Sequence, residues 1–147
     1  MVTDKGDYLE YYERDPSDTR KEDSHQVDCV AWLRHHHPQL LFWHTVNEGQ
    51  KTMTSALRDE QAGLRKGVSD FVILIGDPAY SDMPYPFAAI ELKRVNKSGK
   101  GAASPVSKEQ KAFLRDVRNR GGFAAVAYGF EQFKLAISDL FINSTFC

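Results

Sequence analysis

Gly67-Val68-Ser69-Asp70-Phe71-Val72-Ile73-Leu74-Ile75 and its partner, Phe87-Ala88-Ala89-Ile90-Glu91-Leu92-Lys93, are the two stretches that decide the fold. Each is a short apolar run with β-branched and aromatic residues, which predicts a buried strand. The connecting residues 76–86 predict a hairpin that brings Asp70 close to the end of the second strand. Because side chains alternate along a strand, Glu91 and Lys93 are expected on the same face.

These two strands carry an unusual amount of charge for buried structure. Burying two carboxylates and an amine at the ends of strands costs folding free energy unless a ligand or an opposite charge binds them. Oxygen ligands from Asp and Glu suit Mg²⁺. The sequence therefore predicts a divalent-cation site at Asp70 and Glu91, and the alternative is an ordinary ion-paired strand end.

Length and composition describe one ordinary globular domain. The 147 residues are enough for one sizeable core, and 41% hydrophobic and 27% charged residues are typical of such a domain. There is no run of about 18 apolar residues, so no membrane span is expected. The acidic start of the chain lacks an apolar signal core, which favours an intracellular protein. The two cysteines, Cys29 and Cys147, do not suggest a disulfide framework.

Charge is distributed unevenly along the chain. Residues 1–30 hold nine acidic residues and four Lys or Arg, a balance of −5, whereas residues 93–122 hold nine Lys or Arg and two acidic residues, a balance of +7. Such asymmetry creates a local field that the net charge of −1 conceals. The basic stretch begins at Lys93, which favours a phosphate-binding surface beside the predicted site, and a solvated helix face is the alternative.

The rest of the chain alternates between helical and strand patterns. Residues 1–20 predict a loose polar arm that docks, if at all, through Tyr8, Tyr11 and Tyr12, and residues 21–147 predict the domain proper. Residues 94–105 predict a flexible loop. The remaining segments predict helices at 22–36, 54–62, 107–120 and 131–141, strands at 40–45 and 123–127, and a turn at 47–49. The order α-β-α-β-β-α-β-α predicts an α/β fold with a mixed sheet flanked by helices.

Three local patterns add detail at the ends of helices. Glu22 and Gln26 lie one turn apart, so both can act from the same face near a helix start. The run His35-His36-His37 before Pro38 indicates a helix end, because cationic or polar residues suit that position, and metal binding by the run is not expected. Ser107-x-x-Gln110 is a capping box, which does not prevent Gln110 from also serving the charged site.

The chemistry-bearing residues occur in an order that resembles a known family. That order is Asp70, then Glu91-x-Lys93, then Ser107-x-x-Gln110, and finally Gly121-Gly122-Phe123. It resembles the VRR-NUC family, the virus-type replication-repair nucleases of the PD-(D/E)xK superfamily, from about Glu22 to Leu140. The resemblance implies a restriction-endonuclease-like αβββαβ core.

The resemblance also implies roles for individual residues. Asp70 and Glu91 would hold Mg²⁺, and Mn²⁺ would substitute for it. The backbone carbonyl of Leu92 and the side chain of Glu22 would complete the coordination sphere. Asp23 is the alternative to Glu22 at this position. Lys93 would orient or deprotonate the attacking water, or stabilise the charged transition state. Gln110 would support this cluster or touch the phosphate. The predicted DNA-binding residues are Lys66, Arg94, Lys97, Lys100, Lys108 and Lys111.

As a biological function, the resemblance implies a metal-dependent, structure-selective DNA endonuclease of the standalone viral or prophage type. Such members act on branched DNA, including Holliday junctions, as homodimers in replication, repair or recombination, here in a bacterial cytoplasm. The three tyrosines of the arm or the apolar face of the last helix would supply the interface. The alternatives are a non-catalytic nucleic-acid-binding module, a flap or nicking nuclease, and a restriction-type enzyme, for which little chain is left over.

Overall fold

A computed structural model of the chain describes residues 1–46, 52–76 and 83–141. The described residues form six strands and four helices. The strands are β1 (Val2–Asp4), β2 (Leu9–Tyr11), β3 (Leu41–His44), β4 (Phe71–Leu74), β5 (Phe87–Lys93) and β6 (Phe123–Tyr128). The helices are α1 (Glu22–His36), α2 (Met53–Gln61), α3 (Lys108–Asn119) and α4 (Phe130–Phe141).

The strands build one mixed sheet in the order β1-β2-β6-β5-β4-β3. The β4–β5 pair is antiparallel, with Phe71 opposite Ile90, as the predicted hairpin requires. The β5–β6 pair and the β6–β2 pair are parallel, whereas β3–β4 and β1–β2 are antiparallel. Residues 47–49 and most of the predicted hairpin loop lie outside the described residues.

Alternation along β5 divides the core into two layers. Ala88, Ile90 and Leu92 face the layer that includes Leu33 of α1 and Phe133 of α4. Ala89 and the neighbouring apolar residues of β6 face α3 instead, and the side chains of Glu91 and Lys93 share this second face. The α1-β3-β4-β5-α3-β6 order is the predicted αβββαβ core, with α2 inserted after β3, so the predicted fold class is confirmed.

The prediction of a loose N-terminal arm is wrong. Strand β1 pairs with β2, and β2 extends the sheet in parallel beside β6, with Tyr11 opposite Ala127. Tyr8 and Tyr11 are buried, and the Tyr11 hydroxyl donates a 2.6 Å hydrogen bond to Asp139 of α4. The arm therefore forms one edge of the sheet.

The same packing overturns both predicted sources of a dimer interface. Tyr8 and Tyr11 are part of the intramolecular core. The apolar face of α4, which includes Phe133, Ile137 and Leu140, is also fully buried inside the protein. These buried side chains are not available to a second copy of the chain, and the third tyrosine, Tyr12, is half-buried and packs edge-on against Tyr128.

The loop after β5 is anchored where the sequence predicted flexibility. The side chain of Asn96 is buried and donates hydrogen bonds to the carbonyls of Asp15 and Asp18, at 2.8 and 3.1 Å. Its Oδ1 accepts a 2.9 Å hydrogen bond from the Asp15 N–H. The Lys97 ammonium pairs with Glu10 at 2.7 Å. We call Asn96 with Asp15 and Asp18 the asparagine clamp.

Helix α1 ends as the histidine run predicts. The backbone N–H of His37 closes the helix by donating to the Leu33 carbonyl at 2.8 Å, just before Pro38. The His37 ring stacks on Phe141, with ring centroids 4.6 Å apart. Among the helices that the structure describes, none combines the length and apolarity that a membrane crossing needs.

Candidate active site

Neighbouring strands bring the predicted acidic residues together at one end of the sheet. Asp70 directly precedes β4, and Glu91 and Lys93 lie in the last three residues of the antiparallel neighbour β5. The start of one antiparallel strand and the end of its neighbour meet at the same edge, so the three side chains converge. All three are buried, with exposed fractions of 5%, 3% and 3% respectively.

Asp70 is fixed by backbone groups on both sides. Its Oδ2 accepts a 2.7 Å hydrogen bond from the Leu92 N–H. Its carbonyl oxygen accepts from the Thr45 N–H at 2.8 Å, and the His44 Nδ1 lies 3.2 Å from the same oxygen. Strand β3 therefore helps to position Asp70, a contribution for which the sequence offered no signal.

Gln110 connects the carboxylate of Glu91 to the ammonium of Lys93. Its Nε2 donates to Glu91 Oε1 at 2.9 Å, and its Oε1 accepts from Lys93 Nζ at 3.2 Å. The same Oε1 accepts from the Ser107 N–H at 2.9 Å, and Ser107 Oγ accepts from the Gln110 N–H at 3.1 Å. The capping box and the contact with the charged cluster coexist, and the cap fixes how the Gln110 amide is oriented.

Lys93 has two further partners that the sequence did not predict. Its Nζ donates to Ser104 Oγ at 3.3 Å and to the Pro105 carbonyl at 3.4 Å. Both residues belong to the loop that leads into α3. Three oxygens thus hold the Lys93 ammonium in one position beside the carboxylates.

Gly67 allows the Asp70 loop to lie against the start of α3. Its φ of +81° is in the left-handed region that favours glycine. A Cβ at this position would lie 2.3 Å from the backbone carbon of Glu109 and 2.6 Å from the backbone nitrogen of Gln110. The loop therefore lies directly against the helix that carries Gln110.

Burial and mutual repulsion perturb the carboxylates. Burial, and next the neighbouring charge of Asp70, raise the pKa of Glu91 to about 9. Burial also raises the pKa of Asp70, and the hydrogen bond from the Leu92 N–H opposes that shift. The positive charge of Lys93 lowers both pKa values, but it is a smaller effect than burial.

Glu22 stands near this pair at the first residue of α1. It is half-buried, and burial followed by the charge of Asp70 raises its pKa to about 7. The rival Asp23 is exposed. Within the part of the chain that the structure describes, no three His, Cys, Asp or Glu side chains form a group that could hold a metal ion. Glu22 is therefore close enough to influence the pair electrostatically, but it does not complete a three-residue ligand set.

The donor set of Asp70 and Glu91 fits a hard divalent cation. Glu91 Oε2 is buried and has no hydrogen-bond partner, so one carboxylate oxygen is left for another ligand. The N–H and C=O of one strand residue point to the same side, and the Leu92 N–H points to Asp70. The Leu92 carbonyl therefore also points toward Asp70. These are oxygen ligands of the kind that Mg²⁺ prefers.

The predicted DNA-binding residues lie mostly on the surface of the protein. Five of them are exposed, and Arg94 is half-buried. Lys97 and Lys111 line a pocket of about 310 Å³ on the α3 side of the sheet, together with Lys5. Lys97 is already engaged by Glu10, and its ammonium lies 4.5 Å from the centre of the Tyr12 ring. The exposed residues are Lys66, Lys97, Lys100, Lys108 and Lys111.

A mixed sheet that presents Asp70 and Glu91-x-Lys93 at the end of two antiparallel strands, with Gln110 from the following helix, defines the PD-(D/E)xK class of nuclease folds. The model of the VRR-NUC domain matches residues 20–131. The chain therefore belongs to the VRR-NUC family, which implies a nuclease domain.

A solved structure supports the fold independently. A protein described as a VRR_NUC domain protein superimposes with a TM-score of 0.62 at 19% sequence identity. The match covers 82% of this chain and 88% of that protein. No curated protein has significant sequence similarity to this chain.

Proposed function

We propose that this chain is a Mg²⁺-dependent, structure-selective DNA endonuclease that cuts branched DNA in replication, repair or recombination. The observation that carries the proposal is the buried pair of Asp70 and Glu91, joined through Gln110 to the Lys93 ammonium. A module that only binds nucleic acid does not need this arrangement. Two acidic groups buried side by side cost free energy in the metal-free protein, so their presence favours a catalytic role.

The chain's own residues divide the work of phosphodiester hydrolysis. Asp70, Glu91 and the Leu92 carbonyl would hold the cation. When bound, the cation supplies stabilisation of phosphate charge and activation of water, and Mn²⁺ would substitute for Mg²⁺. Gln110 holds Glu91 Oε1, which leaves Oε2 to face the ligand. Lys93, fixed by its three oxygen partners, would stabilise negative charge in the transition state or orient the attacking water.

Branched DNA and a homodimer belong to the same proposal. One domain has one such site, so one subunit cuts one strand in each encounter. Resolution of a four-way junction needs two symmetric cuts, and a two-fold dimer presents two identical sites. The basic surface around residues 93–120 would be doubled by the same symmetry and would accommodate more than one duplex arm. A phage or prophage origin and a bacterial cytoplasm, as the resemblance implies, complete this proposal.

A cleavage panel tests the proposal. The purified chain is incubated with single-stranded, duplex, flap and four-way-junction DNA in Mg²⁺, Mn²⁺ or Ca²⁺, with Asp70→Asn as the inactive control, and light scattering gives its oligomeric state. We expect a dimer that makes paired cuts in the junction in Mg²⁺ and Mn²⁺. Binding without cleavage by the wild type would indicate a binding module. A monomer that makes single nicks would indicate a flap or nicking nuclease.

A further inference from the structure

A pocket of about 310 Å³ lies where the hairpin of β1 and β2 meets the loop that leads into α3. It is lined by Tyr8, just before β2, and by Tyr128 at the end of β6, and we call it the tyrosine pocket. Arg118 of α3 fastens the hairpin turn, because its guanidinium donates 2.7 Å hydrogen bonds to Asp4 and to the Gly6 carbonyl. The hairpin wall of the pocket is therefore held in place before any ligand binds.

The tyrosine pocket is separated from the candidate active site by one layer of chain. Ser104 and Pro105 line the pocket, and the same two residues hold the Lys93 ammonium at 3.3 and 3.4 Å. Tyr128 lies opposite Lys93 in the register of β5 on β6. The pocket is therefore within reach of a phosphate that neighbours the one bound at the active site.

Two phenol hydroxyls in the tyrosine pocket are unpaired. The side chains of Tyr8 and Tyr128 are 4% and 5% exposed, and neither hydroxyl has a hydrogen-bond partner among the residues that the structure describes. Neither oxygen is sealed from solvent, so both open into the pocket that they line. Burial, and next the charge of Glu10, raise the pKa of both phenols, so both stay protonated. Because buried phenols ordinarily find a partner, this pair indicates a ligand that accepts hydrogen bonds.

The charged groups around the pocket leave an excess of positive charge. Lys5, Lys97 and Lys111 contribute ammonium groups, and Glu10 contributes a carboxylate. The Lys97 ammonium lies 2.7 Å from Glu10, so these two charges balance each other. Lys5 and Lys111 are exposed and form no ion pair with any residue in the described part of the chain. Two ammonium groups are therefore left for an anion.

These donors fit a phosphate group. Lys and Tyr side chains are usual partners of phosphate oxygens in complexes with DNA. A phosphate accepts several hydrogen bonds at once and carries the negative charge that the two lysines leave unbalanced. The pocket is at the small end of ligand sites, so it accommodates one phosphate group with its sugar and excludes a base pair.

We propose that the tyrosine pocket binds a second phosphate of the DNA strand, beside the phosphate at the active site. The donors are the hydroxyls of Tyr8 and Tyr128 and the ammonium groups of Lys5 and Lys111. The inference rests on the proposed nuclease function, and it identifies a contact that anchors the strand. Lys5 and Tyr8 precede the residues that match the VRR-NUC domain, so the hairpin adds this contact to the domain.

Removal of one hydroxyl tests the pocket in a way that separates binding from folding. Tyr8→Phe removes only an unpaired hydroxyl, so thermal stability should be unchanged. The dissociation constant of a labelled oligothymidylate, measured by fluorescence anisotropy in EDTA, should rise about tenfold. Tyr11→Phe is the matched control, because the Tyr11 hydroxyl donates to Asp139 on the other side of the sheet. That variant should lose stability and keep its affinity.

The salt dependence of binding provides a second readout. Lys5→Ala should reduce the slope of the log binding constant against log salt concentration by about one. Lys134→Ala is the control, because Lys134 lies on α4 across the sheet and pairs with Glu131. It should leave the slope unchanged.

The kind of phosphate is identified by repeating the Tyr8→Phe titration with and without a 5′-phosphate on the oligothymidylate. A loss of affinity that needs the 5′-phosphate would identify a terminal phosphate as the ligand of the pocket. A loss with both oligonucleotides would identify a backbone phosphate. Either result supports the inference.

The outcomes separate this inference from the nuclease proposal. Unchanged affinity in Tyr8→Phe and an unchanged salt slope in Lys5→Ala would overturn the phosphate site, while cleavage of DNA by the wild type would leave the nuclease intact. A loss of stability in Tyr8→Phe as large as that in Tyr11→Phe would show that the hydroxyl is structural, and the inference would be wrong. Weaker binding in both pocket variants without cleavage of any DNA by the wild type would support the pocket and reject the nuclease.

Discussion

Asn96 of the asparagine clamp and Glu91 of the carboxylate pair lie five residues apart on the chain, and both side chains are buried, but they differ in how their polar atoms are paired. Asn96 is 4% exposed, and its amide makes three hydrogen bonds to the backbone of Asp15 and Asp18. Glu91 is equally buried, yet one of its oxygens has no partner and its pKa is raised to about 9. The polar atoms of the Asn96 amide are all paired within the protein, whereas Glu91 leaves one carboxylate oxygen unpaired.

This difference provides a criterion for reading buried polar groups. A buried group with all partners in place contributes to stability, and its loss leaves the partners unsatisfied. A buried carboxylate with a free oxygen costs stability and is kept for another reason. Substitutions in the asparagine clamp should therefore lower stability, and substitutions in the carboxylate pair should lower activity.

The largest expected effect is the loss of activity in Asp70→Asn or Glu91→Gln. Each substitution removes a negative ligand and little volume, so cleavage should become undetectable while the protein stays folded. Thermal denaturation without metal should show unchanged or higher stability, because an acidic group that is costly to bury has been replaced by a neutral amide. Mg²⁺ should stabilise the wild type and not the variants. Near-normal turnover in either variant would show that the proposed site is wrong.

Lys93→Ala should reduce the cleavage rate by about a hundredfold or more, as expected for a group that acts at the transition state. DNA affinity should change little, which a binding assay in Ca²⁺ measures separately from the single-turnover rate. Lys108→Ala is the matched control, because Lys108 is exposed in the first turn of α3. Lys108→Ala should weaken DNA binding without lowering the cleavage rate at saturating DNA. Equal losses of affinity and of rate in the two variants would show that Lys93 has no special role.

In the asparagine clamp, Asn96→Ala should lower the free energy of unfolding by about 1–2 kcal/mol, because three part-buried hydrogen bonds to the backbone of Asp15 and Asp18 are lost. Urea denaturation measures the loss, and the exposed Ser98→Ala serves as the control. The rate at saturating DNA should change much less than in Lys93→Ala. A loss of stability no larger than that of the control would mean that the clamp does not hold the loop.

Metal-free stability should fall as the pH rises between about 5 and 9. The pKa of Glu91 is raised from its ordinary value of 4.5 to about 9 in the folded protein. A carboxyl whose folded pKa is raised binds more protons when folded, so its contribution is complete below pH 4.5 and is lost as the pH rises through the folded value. Thermal melts across this range in EDTA measure the slope. Glu91→Gln should flatten it, and identical slopes in both proteins would contradict the prediction.

The smallest expected effects concern Lys97 and Lys100, two loop lysines that the sequence analysis predicts to bind DNA in the same way. If Lys100 contacts a phosphate, Lys100→Ala should reduce the slope of the log binding constant for DNA against log salt concentration by about one. Lys97 is paired with Glu10 and lies over the Tyr12 ring, so Lys97→Ala should instead cost up to about 1 kcal/mol of stability. Binding at several salt concentrations and urea denaturation of both variants distinguish the two roles. Matching salt slopes and stabilities would indicate that the pairing of Lys97 does not matter.

The parts of the fold that local chemistry determines could be predicted from the sequence. Strand β5 runs from Phe87 to Lys93 and helix α1 from Glu22 to His36, as the apolar runs, the histidine run and the proline indicated. Strands β1 and β2 were missed because each has only three residues. Gly6 between them was a turn signal that could have suggested a hairpin. Nothing local, however, indicates that β2 pairs with β6.

The same distinction applies to the candidate site. Asp70, Glu91, Lys93 and Gln110 could be predicted because their order and spacing follow a pattern, and the structure brings them together. Their catalytic roles remain predictions. The contacts from Ser104 and His44 depend on tertiary packing, so no spacing in the sequence reveals them. The asparagine clamp was missed for the same reason, since its partners are separated from Asn96 by about eighty residues.

Gly67 sets a limit on how this site can change. The loop that carries Asp70 and the helix turn that carries Gln110 touch at this position, where any Cβ would lie 2.3 Å from the Glu109 backbone. A larger residue would push the Asp70 loop away from the helix that carries Gln110 without altering any charged group. The spacing between Asp70 and Gln110 therefore depends on a residue that has no functional group, and substitution of Gly67 would disturb the candidate site without changing any of its polar side chains.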